Sequence, residues 1–119
     1  MQRSGAHNKL GSLGENLAAD FLIGKGYEIL ERNLDLNVGE IDLLCQKDDI
    51  IVIVEVKTLS MSSYLDPIHK IDRRKQVKLR LLARVIANRY DGCNIRCDAV
   101  TVCWDRNKQL VIRHLENIC

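Results

Sequence analysis

The sequence predicts an α/β fold in which helices flank a mixed central sheet. Two segments, residues 10–24 and 72–90, carry apolar side chains at helical spacing. The remaining apolar runs are of strand length and are separated by polar or glycine-containing breaks. Runs of strands that are interrupted by helices favour the order α-β-β-β-α-β-β, in a single domain over residues 1–119.

The first helix is predicted from a stripe of apolar residues. Its members recur at helical spacing and are Leu10, Leu13, Leu17 and Phe21. Gly24 and Gly26 are typical of the end of a helix. We expect residues 1–9, which precede the helix, to form a poorly ordered tail. Residues 27–32 then predict a short first strand.

A β-hairpin is predicted over residues 39–57. This segment contains two apolar runs on either side of a polar break, Gln-Lys-Asp-Asp, and such a break is typical of the turn between antiparallel strands. Alternation along the first run puts Ile41 and Leu43 on the face opposite Asp42. The two runs are therefore expected to pair as adjacent strands of the sheet.

Three charged residues, Asp42, Glu55 and Lys57, lie within these apolar strands. Charge inside a core is costly unless it is paired or bound to a metal. Glu55 and Lys57 share a strand face and lie roughly 7 Å apart, and hairpin pairing can bring Asp42 opposite or diagonal to Glu55. A cross-strand salt bridge would account for any one of these residues, whereas the ordered set favours a functional site.

The residue types suit a site for a hard metal cation. Mg²⁺ prefers oxygen ligands and commonly takes one or two protein carboxylates. Asp42 and Glu55 are therefore candidate ligands for Mg²⁺ or Mn²⁺, and the backbone carbonyl of Val56 is a third candidate. Lys57 would orient or deprotonate a metal-bound water, or neutralise charge on a phosphate under attack. The implied reaction is hydrolysis of a phosphodiester.

The second helix is predicted to be a basic surface. Asp72 is a suitable N-cap, and the helix is expected to continue to about Tyr90. A net charge of +2 for the whole chain conceals a cluster of basic residues in this segment, which are Lys70, Arg73, Arg74, Lys75, Lys78, Arg80 and Arg84. Lys75 and Lys78 project from the apolar side of the helix, where they can reach the sheet or a phosphate bound over it. Snorkelling of their alkyl stems is the alternative.

Nucleic acid is the expected partner of this basic surface. Candidate binding residues are Arg73, Arg74, Lys75 and Lys78. One Trp, one Phe and three Tyr leave little material for stacking single-stranded bases. Duplex or branched nucleic acid that is read through its backbone is therefore favoured, with DNA preferred over RNA.

Two strands are predicted to close the chain as a hairpin, over residues 96–104 and 109–115. In the first of them Asp98 shares a face with three apolar residues, Val100, Val102 and Trp104. Arg96 and Asp98 are expected to pair with each other or to hold neighbouring loops.

Composition indicates one compact cytoplasmic domain. At 119 residues and 46% hydrophobic content, the chain can bury roughly two thirds of its unfolded surface. The longest apolar run, residues 50–54, is too short to cross a bilayer, and the N-terminus has no hydrophobic signal region. The histidines show no ligand spacing, and the five cysteines form no Cys-x-x-Cys pair, which argues against a zinc site. Cys45, Cys97 and Cys103 are expected to be buried, and Cys119 is a candidate reactive thiol.

The ordered residues resemble a known motif. Gly39 to Asp42, followed by Glu55-Val56-Lys57, is similar to the PD-(D/E)xK nuclease motif. The wider chain, from about residue 10 to about residue 104, resembles the bacterial YraN-like (UPF0102) family of that superfamily. Further similar elements are Leu13-Gly14-Glu15, Gly26-Tyr27, Arg32-Asn33, Asp66-Pro67, Lys75-Gln76, and Arg96 with Asp98.

The resemblance implies a restriction-endonuclease-like core, which is also used by archaeal Holliday-junction resolvases. It implies that Asp42 and Glu55 are metal ligands and that Lys57 is the catalytic lysine. Glu15 is similar to an additional acidic residue of the resolvase-like members. The implied function is a metal-dependent nuclease acting on structured or branched nucleic acid, and the alternative is a non-catalytic nucleic-acid-binding protein that retains the fold. A resolvase-like function would favour a homodimer.

Overall fold

The computed structural model describes residues 9–59 and 73–119. It contains two helices and five strands in the predicted order α-β-β-β-α-β-β. The elements are α1 (Lys9–Gly24), β1 (Glu28–Leu36), β2 (Gly39–Lys47), β3 (Ile50–Thr58), α2 (Arg73–Arg89), β4 (Asn94–Trp104) and β5 (Leu110–Leu115). The predicted α/β class with a mixed sheet is confirmed. Within the described part of the chain, neither helix has the length and apolar character needed to cross a membrane.

The five strands form one sheet in the order β1-β2-β3-β4-β5. The β3–β4 pair is parallel and the other neighbouring pairs are antiparallel. Parallel neighbours require a crossover, and α2 lies in the connection between β3 and β4. The predicted hairpins β2–β3 and β4–β5 are both confirmed. The first of them turns at residues 48 and 49, where Asp48 has a φ of 55°.

The helices cover opposite faces of the sheet, and each face has its own hydrophobic core. On the α1 face, Ala18, Ala19 and Leu22 pack in one cluster with Leu43, Cys45, Val52, Val54, Val100 and Val102. On the α2 face, Leu79, Leu82 and Ile86 pack in another cluster with Ile41, Leu44, Ile51 and Ile53. Because β3 is covered on both faces, residues 51–54 are all buried, which explains its continuous apolar run.

Helix α1 lies very close to the sheet at Gly14. A Cβ at this position would lie 1.8 Å from Oγ1 of Thr58, the last residue of β3. Only a glycine permits this spacing, because real Cβ atoms do not approach other heavy atoms so closely. The contact fixes α1 over the end of the strand that carries Glu55 and Lys57.

The first strand is longer than predicted. Residues 27–32 were expected to form it, whereas β1 runs from Glu28 to Leu36. Asn33 has a φ of 51°, which interrupts the regular alternation, although Leu34 and Leu36 beyond it still pair with β2. Of the predicted tail, Lys9 belongs to α1, while residues 1–8 lie outside the described residues. The predicted N-cap Asp72 also lies outside them.

The predicted alternation around Asp42 is wrong. Ile41 belongs to the α2-face core and Leu43 to the α1-face core, although both were expected on one face. The regular β2–β3 pairing ends at Leu43 and Val54. On the other side of β2, the ladder brings Asn33, with its positive φ, level with Asp42. The local irregularity therefore rotates β2 at Asp42 itself.

The cysteine predictions are confirmed in part. Cys45 and Cys97 are buried, and Cys119 is exposed. Cys103, which was also expected to be buried, is half-buried.

Candidate active site

A pocket of about 210 Å³ lies between the separating ends of β2 and β3 and the first half of α2. It is lined by Gly39, Glu40, Asp42, Glu55, Lys75, Lys78, Leu79 and Leu82. The two leucines belong to the α2-face core, so the pocket has an apolar floor and charged walls. Two predicted metal ligands and two predicted nucleic-acid-binding lysines are thus brought together.

Glu55 is the buried acid of this pocket. It follows Ile51 and Ile53 on the α2 face of β3, and its side chain is 9% exposed. Lys75 on α2 forms an ion pair with it, with 2.9 Å between Nζ and Oε1. Burial raises the pKa of Glu55, the neighbouring Asp42 carboxylate raises it further, and the Lys75 ammonium opposes both. The net direction is upward, so burial outweighs the compensation by Lys75.

Asp42 joins the two strands where their backbone pairing ends. Its Oδ2 accepts a hydrogen bond from the backbone N–H of Val56 at 2.9 Å. The regular β2–β3 ladder ends at Leu43 and Val54. Just beyond that end, the Asp42 carboxylate is the hydrogen-bond acceptor for a backbone N–H of β3. This contact also brings Asp42 beside Val56, the residue whose carbonyl was predicted as a third metal ligand.

Lys75 and Lys78 both reach the pocket from α2, in agreement with their predicted position on the apolar side of the helix. The Lys75 side chain is 37% exposed and spans from the helix surface to Glu55. Lys78 Nζ donates to the backbone carbonyl of Val38 at 2.7 Å. Its alkyl stem passes over Gly39, where a Cβ would lie 3.4 Å from Lys78 Cδ. Snorkelling thus describes Lys78, whereas Lys75 is an ion-pair partner of the site.

The remaining predicted site residues, Lys57, Arg73, Arg74 and Glu15, are not part of the pocket lining. Lys57 is half-buried and follows Glu55 on the same strand face. It lowers the pKa of Glu55, but its effect is smaller than those of burial, Asp42 and Lys75. Arg73 and Arg74 are exposed at the start of α2. Glu15 is on α1, next to Gly14, and therefore at the same end of β3 but on the opposite helix. The pocket lining does not include it.

The two carboxylates limit what kind of metal site the pocket can form. Among residues 9–59 and 73–119, no three side chains of His, Cys, Asp or Glu are grouped so that they could hold a metal ion. Such a pair suits an ion that keeps water or substrate oxygens as its other ligands, as Mg²⁺ does. It does not suit zinc, whose structural sites take four protein ligands.

Glu40 was not among the predicted site residues, yet it lines the pocket and is exposed. The only indication in the sequence that Glu40 would line the pocket was its strand position two residues before Asp42. The lining leucines, Leu79 and Leu82, lie on the apolar side of α2, and nothing in the sequence indicated that they would also form the floor of a cavity.

A buried polar network was also missed, on the α1 face of the sheet. Asp98 is fully buried and accepts two hydrogen bonds from Arg96, each of 2.8 Å, which confirms the predicted pairing of these residues. His114 on β5, to which no role was assigned, lies with Nε2 2.8 Å from Asp98. Arg96 also donates to the Tyr27 hydroxyl at 2.7 Å. Burial acts to raise the pKa of Asp98, but the bonds from His114, Arg96 and the Asn117 N–H lower it below its usual value.

The family model of the uncharacterised protein family UPF0102 matches residues 14–102. A UPF0102 protein of Flavobacterium psychrophilum is 42% identical over 116 residues, which cover 93% of each chain. A UPF0102 protein of Alkaliphilus oremlandii is 36% identical over 115 residues, covering 93% of this chain and 97% of the relative. Another, from Treponema pallidum, is 40% identical over 115 residues, covering 92% and 91% respectively. The chain therefore belongs to the uncharacterised protein family UPF0102.

Proposed function

We propose that this protein is a metal-dependent nuclease that hydrolyses phosphodiester bonds in structured or branched nucleic acid. The observation that carries the proposal is one pocket in which Asp42 and Glu55, from neighbouring strands, face Lys75 and Lys78 on a basic helix. Paired carboxylates suit a divalent cation, and the lysines suit the phosphate on which that cation would act.

The donor chemistry of the pocket fits Mg²⁺ or Mn²⁺. Asp42 and Glu55 would hold the ion, with the carbonyl of Val56 as a third donor, and one or two carboxylates are what Mg²⁺ commonly takes from a protein. When bound, such an ion polarises a phosphoryl oxygen and makes water a stronger nucleophile. The buried position of Glu55 strengthens its interaction with a cation, because screening by water is weak there.

The basic residues would act on the substrate itself. Lys57 lies two residues beyond Glu55 on the same strand face, roughly 7 Å along the strand. From there its ammonium can orient an attacking water or neutralise the charge that develops on the phosphate. Arg73 and Arg74 are exposed at the start of α2 and can contact the phosphate backbone outside the pocket.

A second candidate function is a nucleic-acid-binding protein that retains the fold without catalysis. The specific observation in its favour is that both carboxylates already have protein partners. Glu55 is paired with Lys75, and Asp42 accepts the Val56 N–H. A pocket whose carboxylates already have protein partners can support binding by the basic helix without any metal.

The test is hydrolysis of a panel of linear, flapped and four-way nucleic acids with Mg²⁺ or Mn²⁺. Glu55→Gln and Asp42→Asn should each abolish cleavage, because each removes a carboxylate charge and keeps the side-chain shape. Asp42→Asn is preferable to Asp42→Ala, since the amide oxygen can still accept the Val56 N–H. Asp49→Asn, at the exposed turn of the same hairpin, is the matched control and should cleave normally.

The two functions predict different results with this panel. Cleavage that survives Glu55→Gln would have to come from a contaminant, and absence of cleavage on every substrate would remove the support for a nuclease. The binding function predicts that DNA affinity does not depend on divalent ions and falls with salt, with a log-log slope of about −0.9 per phosphate contact on a duplex. Binding that is unaffected by salt would contradict both candidates.

A further inference from the structure

We infer that Lys75 is an internal cation that competes with a divalent metal ion for Glu55, so that metal binding releases its ammonium group into the pocket. This inference rests on the proposed metal-dependent function and assigns a positioning role to Lys75 within it. Lys75 would act as a counter-ion of the site without metal and as a substrate contact once the metal is bound.

The competition follows from the position of the ion pair. Lys75 Nζ is 2.9 Å from Oε1 of Glu55, whose side chain is only 9% exposed. A divalent ion ligated by the same oxygen at roughly 2.1 Å would lie within about 5 Å of that ammonium. The two cations would then repel each other across a site with little water to screen them. Glu55 cannot hold both of them at full strength.

The acidic end of the pocket requires one cation or the other. Asp42 and Glu55 line the same cavity, and the Asp42 carboxylate disfavours a second negative charge on Glu55. An ammonium group compensates one unit of this charge and a divalent ion compensates two. The protein can therefore keep a buried glutamate in the absence of metal, because Lys75 occupies the place of the missing charge.

Lys75 is also able to leave. Its side chain is 37% exposed and lies in the first turn of α2, beside the exposed Arg73 and Arg74. Rotation of the flexible stem would carry the ammonium from Glu55 to the mouth of the pocket, where a substrate phosphate would meet it. Lys78, by contrast, is bonded to the neutral backbone carbonyl of Val38, and it has no carboxylate partner to lose within residues 9–59 and 73–119.

This difference supplies a matched pair of variants. Lys75→Gln and Lys78→Gln each remove one positive charge from the same helix and the same pocket. Titration of the intact protein with Mn²⁺ in a calorimeter should show that Lys75→Gln tightens binding on the order of tenfold, because a repulsion at about 5 Å is removed. Lys78→Gln should tighten it much less, since its ammonium does not share an oxygen with the ion.

A second readout is the structure of the Mn²⁺ complex. In a crystal of the wild-type protein soaked with Mn²⁺, Lys75 Nζ should lie beyond roughly 4 Å from either oxygen of Glu55, outside the range of an ion pair. An intact ion pair beside a bound ion would overturn the inference. Circular dichroism of each variant establishes that it is folded before the titrations are compared.

The outcomes separate this inference from the proposed function. If Mn²⁺ binds, Glu55→Gln abolishes the binding, and Lys75→Gln matches Lys78→Gln, then competition by Lys75 is refuted while the metal site stands. If neither the wild type nor any variant binds Mn²⁺, both ideas fail together. If the wild type binds weakly or not at all and Lys75→Gln binds well, the competition is supported.

Discussion

Replacing Gly14 by alanine should destabilise the protein, although alanine favours helices. Gly14 lies within α1, and a Cβ there would be 1.8 Å from Thr58 Oγ1 and 2.8 Å from Thr58 Cβ and Cγ2. Ordinary contacts between such atoms begin near 3.4 Å, so α1 must move outward or the end of β3 must shift. Either movement disturbs Ala18, Ala19 and Leu22, which belong to the same helix and are fully buried against the sheet.

The magnitude follows from two opposing effects. Overpacking a close contact typically costs about 1–3 kcal/mol, and an overlap at three atoms of a β-branched side chain belongs at the upper end. The gain in helix propensity from glycine to alanine is about 1 kcal/mol. We therefore expect a net loss of about 2 kcal/mol in the free energy of unfolding.

Gly24→Ala is the control for this experiment. Gly24 ends the same helix, and apart from its chain neighbours and the nearby helix backbone, no atom of the described residues lies within 4 Å of the position where its Cβ would be. The substitution should stabilise the protein by about 0.4–1 kcal/mol, because only the propensity effect operates. Urea denaturation followed by far-ultraviolet circular dichroism measures both values.

A double substitution tests the mechanism. Thr58→Ala removes the Oγ1 and Cγ2 atoms and should recover at least half of the loss caused by Gly14→Ala, as a coupling energy between the two sites. A Gly14→Ala protein as stable as the Gly24→Ala protein would refute the reasoning. So would a loss that Thr58→Ala leaves unchanged, because the cost would then have another origin.

Three further predictions concern buried groups. Asp98→Asn should cost about 3 kcal/mol in urea denaturation, since it leaves His114 without its carboxylate partner and Arg96 with only the exposed Glu116, at 3.5 Å. The same substitution should also remove the loss of stability that the wild type shows as pH falls through the lowered pKa of Asp98, below about 4. Because the pKa of Glu55 is raised in the folded protein, the free energy of unfolding of the metal-free wild type should fall as pH rises from about 4.5 through the folded-state pKa. Glu55→Gln should flatten this decline in urea titrations at several pH values. The same dependence of stability on pH in the variant would contradict the prediction. Iodoacetamide should label Cys119 well before Cys45 or Cys97 in mass spectra, because burial raises the pKa of each of the latter two thiols to about 12.

Most elements of the fold could be predicted from residue spacing, because each is specified by residues that are close together in the sequence. The helical stripe of α1 and the short polar turn of the β2–β3 hairpin each specify their element without reference to the rest of the chain. The C-terminal half of β1 could not be predicted in this way. Its left-handed residue Asn33 interrupts the alternation, and the segment is a strand because it pairs with β2.

The candidate site is non-local, and its prediction was correspondingly partial. Periodicity was sufficient to put Glu55 on one face of β3 and Lys75 on the apolar side of α2. Their pairing at 2.9 Å also depends on which face of the sheet α2 covers, and α1 takes the other face. Spacing within a single element carries no information about that choice. The buried Asp98–His114 contact was missed for the same reason, since it links two strands whose register is set by their pairing.

Asp42 was predicted as a metal ligand, and in the structure it also makes a hydrogen bond that links two strands. Its carboxylate bonds to the Val56 N–H beyond the end of the regular β2–β3 ladder, and the reversal of facing between Ile41 and Leu43 occurs at this residue. The separation of the strands there is also what leaves room for the pocket. A residue with a structural role and a proposed role in metal binding cannot be tested by truncation, because loss of activity in Asp42→Ala could reflect a stranded N–H costing about 1–3 kcal/mol. Asp42→Asn keeps the acceptor and removes the charge, so a stable variant that no longer binds Mn²⁺ would assign the charge to the metal and the oxygen to the fold.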